Sequence, residues 1–247
     1  MNKPKPYFLD GHVHCQEGSV CSNLYASQLV IQAHLHEAPL LTITGHESLR
    51  GYYEVKEYLK RFSEYKPIVL PGREITTEYG DFLVFSDSEE LLFYLPRDMK
   101  FNSLIDKIKL ADTFVVWAHP YSVFTRLAKI KLEEICSSIN AVETRNYTVD
   151  YALGSDEGYK LAEFIMDKFS LLPWAGSDTH TIFPLSLWRY RVEFEEMPDS
   201  VSQLLSSMRQ GRYKVVTDPF SYKEAEIYVP TKEEIKDYYS EFYPVFF

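Results

Sequence analysis

Asp10-Gly11-His12-Val13-His14 follows a short apolar run, Tyr7-Phe8-Leu9, close to the start of the chain. In an extended strand successive side chains point to opposite faces, so Asp10, His12 and His14 would share one side. Two imidazoles spaced this way can chelate a divalent cation, and a carboxylate behind them can orient a ring. Histidines two apart occur often by chance, and alone the triplet carries little weight. Its weight depends on what the rest of the chain places at comparable positions.

Working outward, β-branched and aromatic runs alternate with stretches of helical periodicity. Strands are expected at 40–44, 67–75, 113–118, 141–143, 171–175, 188–194 and 213–216. Helices are expected at 24–36, 50–62, 102–111, 123–139, 158–169 and 200–210. Runs at 82–85 and 91–95 read as short strands that form an excursion from the repeat. Such alternation predicts a parallel sheet with right-handed crossovers. The 247 residues match a single α/β barrel, which commonly has about 250. Beyond Thr217 the pattern changes, with a helix expected at 231–240 and an aromatic end, Phe242-Tyr243-Pro244-Val245-Phe246-Phe247. The expected organisation is a barrel domain over 1–217 and an extension over 218–247, packing on the barrel or in a homo-oligomer interface.

A net charge of −10 argues against a surface built to grip extended nucleic acid, though bound divalent cations can make one site locally positive. Cys15, Cys21 and Cys136 are odd in number and lack metal-finger spacing, which fits a reduced, cytoplasmic setting. No stretch approaches the roughly 18 apolar residues of a membrane span, and residues 1–9 lack a signal-peptide core. The expectation is a soluble intracellular protein with no membrane partner.

The polar residues where strands end form a set: His12, His14, His46, Glu74, His119, Glu143, Asp178 and His180. Five of the 7 histidines belong to it. In a parallel barrel these ends converge on the face that carries chemistry. Nitrogen and oxygen donors without thiolates suit zinc, manganese or iron, with magnesium also admissible. His34 and His36 fall late in a helix and read as bland. Arg126, Lys129 and Lys131 read as a solvated helix face. Cys15 and Arg73, adjacent to His14 and Glu74, should face away from the cluster.

With Ile43-Thr44-Gly45-His46, Pro71-Gly72-Arg73-Glu74, Ala118-His119-Pro120 and Gly176-Ser177-Asp178-Thr179-His180 set beside the opening motif, the chain resembles the PHP (polymerase and histidinol phosphatase) superfamily over about 7–216. The resemblance implies an α/β fold: a distorted, TIM-like (β/α)7 barrel with a cluster of two or three divalent metals at the C-terminal ends of the strands. By matching position, His12, His14, Glu74 and Asp178 would bind one metal. Glu74 would bridge to a second, shared with His119, and His46 and His180 would hold a third. Asp81 stands where many members have a ligating histidine, and a carboxylate can replace it. Gly45 stands where the family usually has aspartate, Glu17 is the nearest acid after the first motif, and Tyr121 replaces a second histidine. These departures bear most on the third metal.

The reaction implied is hydrolysis of a small phosphomonoester, such as a nucleotide or a sugar or amino-alcohol phosphate, through a metal-bound hydroxide. Arg145 and Asn146, just past a strand end, are candidates to grip the phosphate. His180 or His46 is a candidate to protonate the leaving oxygen, with a metal-bound water as the alternative. Asp10 is expected behind the histidines, supporting the catalytic group. The rival readings are a PHP-type exonuclease on short oligonucleotides, an amidohydrolase-type barrel, and a metal-binding module without turnover, which Gly45 keeps open.

Overall fold

The computed structural model describes residues 7–121, 132–149, 157–181 and 188–218. Strands β2 (Leu40–Gly45), β3 (Ile68–Thr77), β4 (Gly80–Ser86), β5 (Thr113–Trp117), β6 (Ala141–Asn146) and β7 (Leu172–Gly176) form one sheet in that order. Neighbours are parallel except at β4, which is antiparallel to both β3 and β5. The run at 82–85 is therefore a wall strand and not an excursion. Only Glu78 and Tyr79 separate the paired Thr77 and Gly80, too short a link for a parallel crossover, so the chain must return antiparallel. The run at 91–95 also differs: Glu89–Phe93 is a helix, α3. Ser88 accepts the Leu91 amide at its start, and Glu89 and Glu90 occupy its first turn, where the helix dipole favours anions.

The opening motif closes the curled sheet. His12 and Thr179 carbonyls accept the Asp178 and His14 amides at 2.8 and 3.1 Å, while the Thr44 amide donates to the Val13 carbonyl at 2.8 Å. Residues 11–14 thus lie between β7 and β2 and join the two edges. The approach requires glycine at Gly176, where a Cβ would sit 2.4 Å from the His12 Cβ.

With those edges joined, later strands have no place in the wall. Strands β8 (Tyr190–Phe194) and β9 (Tyr213–Thr217), expected to continue the repeat, instead make a separate antiparallel sheet with β1 (Tyr7–Leu9), in the order β1-β8-β9.

Alternation along each wall strand sorts the core. Leu40, Leu70, Leu83, Phe85, Phe114, Val116, Ala141 and Trp174 fill the interior, joined by Val192 and Phe194 of β8 and by Leu204, Leu205 and Met208 of a helix at Val201–Arg209. Trp174 anchors this layer, with ring centroids 5.2 Å from Phe114 and 5.6 Å from Phe85 and its indole N–H donating to the Gly11 carbonyl. The intervening residues face outward. Val13, Leu41, Ile43 and Val69 pack under α1 (Ala26–Leu35) and α2 (Arg50–Leu59). Ile75, Phe82, Val84, Val115, Trp117 and Val142 pack under α3, α4 (Phe101–Ile108), α5 (Leu132–Cys136) and α6 (Glu157–Phe169). The Val201–Arg209 helix is α7. Strands covered on both faces are buried throughout, as β2 is at all six positions.

Of the helix expected at 123–139, Leu132–Cys136 is described. Arg126, Lys129, Lys131 and residues 219–247 lie outside the described residues. No helix among the described residues is long and apolar enough to cross a membrane.

Candidate metal centre

The interior-facing positions change from apolar to polar toward one end of the barrel. Along β3, Leu70 gives way to Glu74, and along β6, Ala141 gives way to Glu143; all four are buried. His12 and His14 come from the closing stretch, with Val13 and Cys15 on its outer side in the helix-covered core. His46 follows β2, His119 follows β5, and Asp178 and His180 follow β7. His119 and Asp178 adopt φ values of 27° and 52°, left-handed conformations that His and Asp enter more readily than most residues.

These side chains meet. The Nε2 atoms of His12 and His14 are 3.0 Å apart, and each is 3.0 Å from Oε2 of Glu74. Oδ1 of Asp178 lies 3.5 Å from the His12 nitrogen and 3.2 Å from the His14 nitrogen. On one side Oε1 of Glu74 is 3.2 Å from Nε2 of His119. On the other, Nε2 of His46 is 3.4 Å from Oε2 of Glu74. The imidazoles of His46 and His180 stack on His14, with centroids at 4.6 and 4.3 Å.

The tautomers follow from the remaining partners. His12 Nδ1 faces Oε1 of Glu143 at 3.1 Å, and a carboxylate there accepts the ring N–H, leaving Nε2 with a lone pair. His180 Nδ1 donates to the Asp178 carbonyl at 2.9 Å, with the same consequence. His14 Nδ1 pairs with Ser19 Oγ at 3.1 Å, and that hydroxyl also accepts the His46 amide. Imidazole Nε2 atoms and carboxylate oxygens thus crowd together at 3.0–3.5 Å. Ligands about 2.0–2.1 Å from an ion in tetrahedral geometry lie about 3.3 Å apart, so the spacing suits a divalent cation. Nδ1 of His46 and of His119 is buried without a hydrogen-bond partner, and Nε2 of each faces the cluster. Several such clusters together describe a multinuclear centre.

Without a cation the imidazoles carry the balancing charge: burial opposes protonation of His12 and His14, but Asp178 and Glu74 raise both. Burial opposes charge on Glu74 and Asp178, yet the surrounding imidazoles hold both carboxyls well below the usual range. Burial likewise opposes protonation of His119, but the hydrogen bond and charge of Glu74 raise it to about 9. His46 goes the other way: burial, aided by His14 and His12, lowers it to about 4. Burial and His14 also lower His180. These two rings stay neutral near pH 7, which suits ligation and not proton donation.

Asp10 lies behind the histidines: Oδ1 accepts the His12 amide at 3.3 Å and the Ser177 amide at 2.8 Å, and Oδ2 the Trp188 amide at 3.0 Å, so it ties the closing stretch to β7 and to the chain before β8. Other expected residues sit elsewhere. Arg145 is turned to the helix layer, donating to Glu163 at 2.6 Å and lying 4.2 Å over the Tyr159 ring. A register shift between Glu143 and Arg145 breaks the alternation that would have put both inside. Asn146 does reach the cluster, donating to Glu143 at 3.0 Å and Asp178 at 3.3 Å, as a support for carboxylates. Asp81 is in none of the convergent groups; its Oδ1 accepts the Thr76 hydroxyl at 2.6 Å. Glu17 spends both oxygens on the Ala26 amide at the start of α1. Arg73 faces away, as expected. The roles of Glu143 and Ser19 behind the two histidines were not visible in the sequence: Glu143 is 131 residues from His12, and Ser19, though close to His14 in the chain, is turned back onto its ring by a loop that has no strand or helix period.

No family model and no curated protein matches the sequence. Solved structures do match in shape. A two-domain protein from Bacteroides vulgatus ATCC 8482, containing a predicted PHP-like metal-dependent phosphoesterase, superposes with a TM-score of 0.62 at 14% identity, over 86% of this chain and 65% of that one. This is a PHP fold. PsfC from Pseudomonas syringae PB-5123 shares it at a TM-score of 0.62 and 16% identity, over 97% of this chain and 98% of its own. Endonuclease Q, bound to a 27-mer duplex with an abasic lesion at its active site, matches at 0.61 and 14% identity, over 85% of this chain. The chain spans 65% of the first and 58% of the third, and at these identities the likeness is one of PHP fold.

Proposed function

We propose that this PHP-fold chain is a metal-dependent phosphoesterase acting on a small phosphomonoester. The observation that carries the reading is Glu74, whose two oxygens face different sets of imidazoles: His12, His14 and His46 on one side, His119 on the other. A carboxylate so placed can bridge neighbouring cations. Paired divalent ions supply charge stabilisation to phosphoryl oxygens and acidify a water for in-line attack.

The chain's own residues set the stage for that chemistry. Glu143 and Ser19 fix the His12 and His14 rings, and Asn146 holds the carboxylates of Glu143 and Asp178 in place. His46 and His180, neutral near pH 7, serve as ligands, so the leaving oxygen takes its proton from solvent. Arg145, paired to Glu163, takes no part in holding phosphate, which would fall to the metal ions that His12, His14, Glu74, His119 and Asp178 could hold. A net charge of −10 favours a small substrate over a long polyanion. The likeness to endonuclease Q supports a second reading, cleavage of a phosphodiester.

Metal-stripped protein reloaded with Mn²⁺ or Zn²⁺ should release phosphate from a generic aryl phosphate. A bis-aryl phosphate tested beside it separates the two readings, because a monoesterase leaves it intact. Bound ions without turnover of either ester would overturn both.

A further inference from the structure

The Arg97 carbonyl accepts the Thr76 amide at 2.9 Å, and the Thr76 carbonyl accepts the Met99 amide at 3.1 Å. Thr76 lies on β3 just past Glu74, so residues 97–99 run along that strand at the polar end of the barrel. From there the Arg97 side chain crosses to the other lip. Nη1 donates to Oε1 of Glu47 at 2.6 Å, and Oε2 of Glu47 accepts the Val20 amide at 3.1 Å. Glu47 follows His46 directly, so the guanidinium is tied down one residue from a candidate ligand. The Cys21 thiol marks how near these groups come. Burial raises its pKa, Glu47 and Glu74 raise it further and Arg97 lowers it, so a single thiol feels both the cluster and the guanidinium.

Two features suit Arg97 to a ligand. Its side chain is 46% exposed, and Nη1 alone of the guanidinium nitrogens has a partner among the described residues. The remaining Nε and Nη2 form the edge whose two N–H bonds run parallel, the geometry that grips both oxygens of a carboxylate. Beside it Val20, 78% exposed, offers apolar surface to a carbon chain. Two other arginines near the cluster are committed: Arg73 to three carbonyls behind the His46 loop, and Arg145 to Glu163.

We propose that Arg97 determines specificity by binding a carboxylate at the far end of a phosphoester whose phosphate lies at the metal centre. The substrate class is then a phosphorylated carboxylic acid. The phosphate end rests on the phosphoesterase reading above, and the test reads binding apart from turnover.

Mn²⁺-loaded full chain is titrated calorimetrically with carboxyalkylphosphonates of increasing chain length, each beside the alkylphosphonate of the same length. The carbon–phosphorus bond resists hydrolysis, so the heat reports binding. At one chain length the carboxylate should tighten binding by about 10-fold, the scale of one charge-assisted hydrogen bond. Arg97→Ala should abolish that ratio. Glu47→Gln keeps an acceptor for the Val20 amide but releases the guanidinium, and should raise the ratio. Both substitutions break the same exposed ion pair, so a merely structural pair would move the ratio one way in both. No advantage at any length, an advantage that survives Arg97→Ala, or a ratio that both substitutions lower overturns the proposal alone. If neither kind of phosphonate binds the metal-loaded chain, the phosphoesterase reading falls with it.

Discussion

The imidazole of His12 and the carboxylate of Glu143 meet at 3.1 Å, Nδ1 against Oε1, with both side chains fully shielded from solvent. The other oxygen of Glu143 accepts the His119 amide at 2.9 Å, so one carboxylate sets both a ring and the backbone of a second candidate ligand. Supporting groups of this kind typically change metal affinity by about 10–100-fold. Glu143→Gln keeps an acceptor but loses the charge, and should weaken the tightest ion on that scale. Titration of metal-free protein measures it, and unchanged affinity would remove Glu143 from the site.

Arg73 is buried completely and donates to the carbonyls of Gly45, His46 and Leu92 at 2.9, 2.7 and 2.9 Å. Burial lowers its pKa to about 10, which leaves it charged at neutral pH. It therefore clamps the loop that carries His46 from behind. Arg73→Met leaves three buried carbonyls short of a donor and should destabilise the metal-free chain by about 3–5 kcal/mol. Urea denaturation reads the loss; a cost below about 1 kcal/mol would show the clamp to be idle.

Arg145 offers the opposite expectation. Its partner Glu163 is 45% exposed and the pair is worth about 0–1 kcal/mol. Arg145→Ala should leave KM for the aryl phosphate within about twofold, a binding change below about 0.5 kcal/mol. A tenfold rise in KM would return Arg145 to substrate binding.

The three cysteines should differ in reactivity. Cys15 and Cys136 are buried and Cys21 is exposed. Burial pushes the Cys136 thiol up to about 12, and raises that of Cys15 as well. A disulfide reagent at pH 8 should titrate one thiol in the folded chain and all three in denaturant. The linkage has a definite sign. A thiol raised in the folded state contributes fully below its unfolded pKa, near 9. Above that, stability should fall by about 1.4 kcal/mol per pH unit for each buried thiol. Cys136→Ala should flatten the alkaline slope, measured as midpoint against pH.

Alternation of apolar residues made much of this protein legible in advance. It placed β2, β3, β5, β6 and β7, it ended most of them at a histidine or an acid, and it turned Arg73 away from Glu74. Local rules went unread where a short signal competed with it. The β-rich run at 91–95 became α3 because Ser88 and two glutamates start a helix there. The run at 82–85 entered the wall because its turn is too short to do otherwise.

By itself the sequence named the donors that converge, since residue type at strand ends is a local property: His12, His14, His46, Glu74, His119, Asp178 and His180 can be named without coordinates, though Asp81, named with them, stays outside the groups. What only the tertiary structure decided is how those donors are shared. One register shift in β6 sent Arg145 outward. The close approach of the Ser48 and Gly18 carbonyls leaves no room for a side chain at Gly45, beside His46. Glu143, separated by 131 residues from His12, became the group that aims its ring. Each of these depends on distances between segments remote in the chain, and a pattern of neighbours along a sequence holds no record of them.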